Sequence, residues 1–119
     1  MTLFEMALFR RLIRASGEAM AKLERHLQRS VERILKATGI CYRKRHGSGM
    51  GVAGDPDIYF LYKSIHVEIE LKRPGEEPTP LQQLRLKEWG QAGAWVRVVH
   101  STGDLRELLA QLEAATTKH

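Results

Sequence analysis

Two short segments rich in β-branched and aromatic residues, 58–62 and 65–71, constrain the fold of this 119-residue chain more than any other feature. Only residues 63–64 separate them, so the pattern predicts a β-hairpin with a two-residue turn. In that register Asp57 lies opposite Glu70. Alternation along the strands gives one apolar face toward the core and one polar face. The polar face carries Asp57, Tyr59, Glu68, Glu70 and Lys72.

The facing pair Asp57 and Glu70 needs an explanation, because like charges opposite each other destabilise a sheet. A divalent cation between them would remove the repulsion, since Mg²⁺ prefers carboxylate oxygens and completes its shell with water and phosphate. Lys72 lies on the same face and would reach a phosphate or a metal-bound water. The alternative is a solvated sheet face on which Lys72 forms an ion pair with Glu70 or Asp55.

The rest of the chain predicts one small α/β domain with a mixed sheet flanked by helices. Hydrophobic periodicity and glycine or proline breaks define the other elements. We expect helices over 3–15, from Gly17 to near Gly39, over about 80–90 and over about 104–114, strands at 40–42 and 95–99, and a glycine-rich loop over 46–54.

Composition excludes several classes of protein. A single cysteine, Cys41, rules out an intramolecular disulfide scaffold and a multi-cysteine zinc site. The chain contains no apolar stretch of the roughly 18 residues that a membrane span needs. At the N-terminus the apolar residues precede the arginines, the reverse of a secretory signal, so we expect a cytoplasmic protein. The net charge of +5 is a weak indication of a polyanionic partner.

The first predicted helix, within residues 1–16, is unusually apolar. Its large apolar side chains nearly encircle it, so it must pack against its own domain or against a second copy of the chain. Those side chains include Phe4, Leu8, Phe9, Leu12 and Ile13. We expect a homodimer whose contacts include this helix.

Four segments with a fixed order and spacing resemble a known family. They are Gly54-Asp55-Pro56-Asp57-Ile58, Ile69-Glu70-Leu71-Lys72-Arg73-Pro74-Gly75, Pro78-Thr79-Pro80-Leu81-Gln82 and Ala92-Gly93-Ala94. The set resembles the VRR-NUC branch of the PD-(D/E)xK nucleases, from about residue 24 to residue 109. The resemblance implies a restriction-endonuclease-like fold and metal-dependent cleavage of DNA. Members of this size are stand-alone phage-type homodimers that cleave branched DNA, which implies a phage or bacterial context.

The resemblance also implies roles for individual residues. Asp57 and Glu70 would hold Mg²⁺ or Mn²⁺, with the backbone carbonyl of Leu71 as a further ligand. Lys72 would orient the attacking water and offset charge in the transition state.

The family also uses a glutamate on the preceding helix, for which Glu24 and Glu32 are the two candidates. At about 100° per residue, Glu24 falls within the apolar stripe of its helix and Glu32 points away from it. A carboxylate on that stripe is costly unless it meets a cation, which favours Glu24 as catalytic residue and metal ligand. The alternative is that Glu24 is a rim residue paired with an arginine.

Gln82 matches the family's glutamine at the start of the helix after the Glu-x-Lys triplet. Thr79, Pro80 and Gln82 also form the pattern of a helix capping box with proline at the first helical position. The two interpretations are compatible, because a cap fixes the backbone while the side chain faces the site.

The basic run Arg43-Lys44-Arg45, followed by the glycine-rich loop, is the best candidate for contact with DNA phosphates. Arg73, directly after Lys72, is a second candidate. The alternative is a solvated, charged loop that binds nothing.

The sequence therefore favours a Mg²⁺- or Mn²⁺-dependent endonuclease that acts on structured DNA, in the first place on four-way (Holliday) junctions. Two alternatives stay open. One is a flap, nicking or restriction-like nuclease of the same fold. The other is a DNA-binding module that has lost catalysis.

Overall fold

A computed structural model of the chain describes residues 1–45 and 51–117. Its elements are α1 (Leu3–Ala37), β1 (Tyr42–Lys44), β2 (Ile58–Tyr62), β3 (Ile65–Leu71), α2 (Pro80–Gln91), β4 (Trp95–Val99) and α3 (Thr102–Thr116). The strands form one sheet in the order β1-β2-β3-β4. The first three are antiparallel and β4 is parallel to β3, which confirms the predicted mixed α/β sheet.

The central hairpin has the predicted register. Lys63 and Ser64 both have positive φ angles, 45° and 75°, as a type I′ turn requires. Tyr62 faces Ile65, and the pairing continues without a slip to Ile58 opposite Ile69. Since a slip of one residue would move every side chain to the other face, this register decides which residues reach the site.

The apolar face of the sheet packs against α1 and α3. The fully buried side chains of this core come from three strands and two helices: Val31, Leu35, Ile58, Phe60, Val67, Ile69, Val99, Leu105, Leu108 and Leu112. Burying this face fixes the sheet on α1 and leaves the polar face of β3 for other contacts.

Helix α2 starts with the predicted capping box. The Thr79 hydroxyl accepts from the Gln82 backbone N–H, and the Gln82 side chain accepts from the Thr79 N–H. The first turn of α2 also touches the segment that leads to β2. A Cβ built at Gly54, where φ is 81°, would lie 2.7 Å from the Leu81 Cγ, so only glycine fits this contact.

The N-terminal half of the chain differs from the prediction. The structure has one continuous helix, Leu3–Ala37, where the sequence predicted two helices separated at Gly17. One glycine inside a helix costs only about 1 kcal/mol relative to alanine. The neighbouring residues 15 and 18–20 are alanine, glutamate and methionine, which favour helix strongly enough to continue through it.

The first twenty residues, most of them in α1, extend away from the domain. All are exposed, and the molecule measures 69 × 27 × 24 Å along its principal axes. The alternative that the N-terminal helix covers its own domain is therefore wrong. Among the described residues, no helix has the length and apolar character that crossing a bilayer requires.

Strand β1 lies two residues later than predicted, at Tyr42–Lys44 instead of 40–42. Pairing with β2 sets its position, with Tyr42 opposite Phe60 and Lys44 opposite Ile58. Part of the basic run is thus strand. The predicted loop over 46–54 falls partly outside the described residues, since the description resumes at Gly51.

Candidate active site

A cavity of about 160 Å³ lies where β3 ends, between α1 and the first turn of α2. Its lining consists of Glu24, Leu27, Gln28, Asp57, Glu70, Leu71, Lys72 and Gln82. Every residue that the sequence favoured for catalysis or metal binding is in this set. The site therefore combines one end of the hairpin with two helices that are far apart in sequence.

Asp57 and Glu70 meet at the end of the β2–β3 ladder. The Asp57 backbone N–H donates to the Ile69 carbonyl at 3.1 Å. The Leu71 backbone N–H donates to the Asp57 Oδ2 at 2.7 Å. These two bonds hold the Asp57 carboxylate on β3, beside Glu70, because Glu70 lies between the two residues that bind it.

Glu70 is the most perturbed acid of the site. Its side chain is only 2% exposed, and its Oε2 atom has no hydrogen-bond partner. Burial, and after it the neighbouring Asp57 carboxylate, raises the pKa of Glu70 from an ordinary value of 4.5 to about 8. In the absence of a cation, the acid pair therefore retains a proton at neutral pH.

Lys72 is the cation nearest to this pair along the strand. Lys72 is buried. Its charge lowers the pKa of Glu70, but burial and the Asp57 carboxylate, which raise that pKa, have larger effects. Its Nζ lies 3.5 Å from the Glu76 Oε1. Lys72 thus pairs with Glu76 and not with Glu70 or Asp55, the two partners considered from the sequence.

The donor set fits a divalent cation. Two carboxylates converge, one buried oxygen of Glu70 is unpartnered, and the cavity leaves room for water and phosphate oxygens. Mg²⁺ is commonly bound by one or two carboxylates with water and phosphate as the remaining ligands. Within residues 1–45 and 51–117, no three His, Cys, Asp or Glu side chains are grouped closely enough to hold a metal.

The two candidate glutamates of α1 occupy different places. Glu24 lines the cavity, with its side chain half exposed and its Oε1 3.9 Å from the Arg73 Nη1. Glu32 instead accepts from the Tyr42 hydroxyl at 2.8 Å. Glu24 is therefore a rim residue paired with an arginine in this structure, and its role as a metal ligand stays a prediction.

Gln82 both caps α2 and lines the cavity. Its Oε1 accepts from the Thr79 N–H at 2.9 Å, and the residue is half-buried at the cavity wall. The cap uses only the oxygen of the side-chain amide. Gln82 can therefore cap α2 and still face the cavity, as expected from the sequence.

The residues of the basic run are in three different environments. Arg43 is exposed and donates to the Tyr42 carbonyl at 2.8 Å. The Lys44 Nζ lies 3.6 Å from the Glu32 Oε2. Arg45 differs from the expectation, because its guanidinium is turned onto the sheet and donates to Glu68 and to the Pro56 carbonyl. Since its donors have protein partners, Arg45 is not free for a phosphate.

Arg73, the fourth predicted DNA contact, lies at the edge of the cavity. Its guanidinium pairs with Glu76 and reaches Glu24, and its side chain is 23% exposed. It therefore bridges the two acidic residues at the rim.

One residue of the site, Gln28, was not predicted from the sequence. Gln28 lines the cavity one turn after Glu24 and donates to the Glu32 Oε2 at 3.4 Å. Gln28 lies four residues after Glu24 and hence on the same face of the helix, so this spacing could have predicted its place beside Glu24. A neighbouring contact was also not predicted: the His66 Nε2 lies 2.5 Å from the Glu68 Oε2. That contact lies beside the site and not in the cavity.

The raised pKa of Glu70 predicts how the metal-free protein responds to pH. Between about 4.5 and about 8, folded protein keeps a proton on Glu70 that the unfolded chain has released. The free energy of unfolding must therefore fall as pH rises through this window, by a total on the order of 2 kcal/mol or more. Denaturant unfolding in EDTA from about pH 5 to about pH 9 measures the loss.

The variant Glu70→Gln is the control, because it keeps the shape and lacks the titrating group. The other ionisable groups are the same in both proteins, so the difference between the two profiles isolates the acid pair that Glu70 forms with Asp57. Parallel profiles would show that Glu70 ionises normally in the folded protein.

Comparison with known proteins supports the fold. A solved structure described as "VRR_NUC domain" is 26% identical, covers 74% of this chain and 95% of its own, and superposes with a TM-score of 0.64. A second, "VRR_NUC domain protein", is 20% identical, covers 75% and 86%, and has a TM-score of 0.63. The sequence matches no family profile, and no curated protein matches it significantly. With this fold and with its motif residues gathered in one cavity, the chain has the fold of a VRR-NUC domain, of the PD-(D/E)xK superfamily.

Proposed function

We propose that this nuclease domain is a Mg²⁺- or Mn²⁺-dependent endonuclease that cuts structured DNA, in the first place four-way junctions. The observation that carries the proposal is the buried acid pair. Glu70 is fully enclosed, faces a second carboxylate and has an unpartnered oxygen at an open cavity. Such a pair lowers the stability of the metal-free protein, which makes sense if a cation normally binds there.

Asp57, Glu70 and the Leu71 carbonyl would hold the ion. When bound, the cation activates water for attack and stabilises charge that develops on the phosphate. The protein's own contribution is orientation, since the Leu71 N–H holds the Asp57 carboxylate in place at 2.7 Å.

Lys72 would orient the attacking water and offset negative charge on the phosphate in the transition state. Its side chain is 11% exposed and belongs to the cavity wall, so it is shielded from bulk water. Gln82 and Glu24, on the two helices beside it, would contribute further polar contacts to the substrate or to the ion's water shell.

Charge distribution along α1 supports DNA as the substrate. At about 100° per residue, seven basic residues fall within an arc of about 100° on the outer side of the helix. They are Arg11, Arg14, Lys22, Arg25, Arg29, Arg33 and Lys36, all exposed. Within the described part of the chain, none of them has a carboxylate within ion-pair distance.

This basic stripe runs for about 38 Å along the helix, roughly one turn of duplex DNA. It passes the cavity, because Arg25 follows Glu24 and Arg29 follows Gln28 in sequence. Lys44 extends it onto β1, where it meets Glu32 of α1. We infer that the stripe, with Arg43, Lys44 and Arg73, binds the phosphate backbone on either side of the cut.

The dimer prediction has support from the opposite side of α1. Apolar residues recur there in a heptad pattern, on the face that continues into the core at Val31 and Leu35. This apolar seam consists of Met6, Phe9, Ile13, Met20 and Leu23, and Ser16 occupies the remaining position of the heptad pattern. All six are exposed.

A second copy of the chain is the occupant that we propose for the apolar seam. Two such helices, packed side by side along their heptads, would cover each other's apolar residues and leave both basic stripes outward. Resolution of a four-way junction needs two symmetrical cuts, and a two-fold pair supplies two cavities for them.

Cleavage assays test the catalytic proposal. We expect Asp57→Asn, Glu70→Gln and Lys72→Met each to reduce junction cleavage by a factor on the order of 10³, because each removes several kcal/mol of transition-state stabilisation. Labelled four-way junctions, flaps, duplex and single strands are compared with Mg²⁺, Mn²⁺ or EDTA. Glu113→Gln, a carboxylate at the far end of the hairpin, is the matched control and should retain activity.

Other outcomes separate the alternatives. Equal cleavage in EDTA would contradict metal dependence. Faster cleavage of flaps or plain duplex than of junctions would show that the junction is not the preferred substrate. Junction binding without cleavage under all conditions would favour the inactive DNA-binding module.

Salt titration of DNA binding tests the basic stripe. Arg25→Gln/Arg29→Gln should reduce the log–log salt slope by about two units, since each lost phosphate contact removes nearly one. Arg97→Gln/Arg106→Gln removes the same charge from exposed positions on β4 and α3 and should leave the slope unchanged. If the stripe variant has the same salt slope as the wild type, α1 does not contact the DNA.

Sedimentation velocity tests the apolar seam. Ile13→Glu/Met20→Glu should convert a dimer to a monomer, because two buried charges would face each other across the pair. Phe4→Glu/Leu8→Glu changes two exposed apolar residues outside the seam and should leave the dimer intact. A chain starting at Ser16 should also be monomeric. A monomeric wild type at micromolar concentration would contradict the dimer, and a dimer that survives both changes would move the interface elsewhere.

A further inference from the structure

A second charged group lies on the same face of β3 as Glu70. Glu68 is completely buried, and its two oxygens accept from the guanidinium of Arg45, at 3.0 Å for the Nη2 bond. The His66 Nε2 lies 2.5 Å from the same carboxylate. A buried carboxylate is tolerated only with such partners.

Arg45 also binds the segment that carries Asp57. Its Nη1 donates to the Pro56 carbonyl at 3.0 Å, and its Nε lies 3.8 Å from the Asp55 Oδ2. Its backbone N–H donates to the Asp57 carbonyl at 2.8 Å. One residue therefore contacts three successive residues, the last of which is the acid that faces Glu70.

Two aromatic rings contact the guanidinium. Its carbon lies 4.4 Å from the centroid of the Tyr59 ring and 5.1 Å from that of Trp89. The Trp89 indole N–H donates to the Asp55 Oδ1 at 3.2 Å. The Arg45 side chain is 24% exposed, and its contact with the two rings limits its motion, which suits a residue that fixes others in place.

The contact also balances charge. Glu68 precedes Glu70 by two residues on the same face, so without Arg45 a third buried carboxylate would accompany the acid pair. A cation would then have two competing places to bind. With Arg45 present, the Glu68 carboxylate is satisfied, and among the buried side chains of residues 1–45 and 51–117 only Glu70 of the acid pair has an unpartnered oxygen.

We propose that Arg45 is a positioning residue that, while neutralising Glu68, tethers residues 55–57 so that the Asp57 carboxylate stays beside Glu70. The tether itself is a property of the protein without metal. Its effect on cation affinity rests on the function proposed above.

The double variant Arg45→Met/Glu68→Met separates tethering from charge balance. Replacing a buried ion pair by apolar residues of similar size is commonly neutral for stability or favourable. The variant therefore should fold, but it has no group to hold the Pro56 carbonyl. Lys63→Met/Glu113→Met removes an ion pair at the far end of the hairpin and is the control.

Two measurements follow the acid pair directly. The first is hydrogen exchange of the Leu71 amide in metal-free protein, because that N–H is bonded to the Asp57 carboxylate. We expect about tenfold faster exchange in the variant, with Val67, inside the same strand, unchanged. The second is calorimetric titration with Mn²⁺, for which we expect about tenfold weaker binding. The control variant should match the wild type in both.

Wild-type exchange at Leu71 in the folded double variant would overturn the proposal, since Arg45 would then only balance Glu68. Should the double variant not fold, Arg45→Lys keeps the charge but not the fork of donors, and it must change Leu71 exchange in the same direction. An unchanged Arg45→Lys variant also overturns the proposal. Faster Leu71 exchange in a protein whose wild type binds no Mn²⁺ would support the tether and contradict the metal-dependent function.

Discussion

The contact between Asp57 and Glu70 is the interaction on which the rest of the site depends. Two acids are brought together at the end of a sheet, and burial with mutual repulsion raises the pKa of Glu70 to about 8. Lys72 lowers the pKa of Glu70 but does not offset these two effects, which a proton or a bound cation would relieve. The hairpin turn at residues 63–64 lies at the far end of the two strands, yet its two left-handed residues set the register that makes the acids face.

Other parts of the structure keep the acid pair together and open on one side. Packing of α1 against the apolar face of the sheet leaves Glu24 and Gln28 at the rim, and the capped start of α2 brings Gln82 to the opposite wall. Arg45 satisfies the neighbouring Glu68. The acid pair is thus left with unbalanced charge at the place where we propose that the cation and the phosphate bind.

The hairpin, its register and the polar face were predictable, because alternation with period two and a two-residue turn leave little freedom. The continuity of α1 was not, since Gly17 is a helix-weakening residue whose effect depends on its neighbours. The partner of Glu68 was also beyond local patterns. Arg45 reaches it across 23 positions of sequence, and only the completed sheet places the two side chains together.

The most direct test of the proposed metal site is to count the protons released when Mn²⁺ binds. Calorimetric titrations at pH 7, in two buffers with different ionisation enthalpies, give that number. We predict that one ion binds per chain and that close to one proton is released, because the ion displaces the proton held by the acid pair. The Glu70→Gln protein should neither bind tightly nor release a proton. Binding without proton release, or binding that Glu70→Gln leaves unchanged, would contradict a metal site at the acid pair.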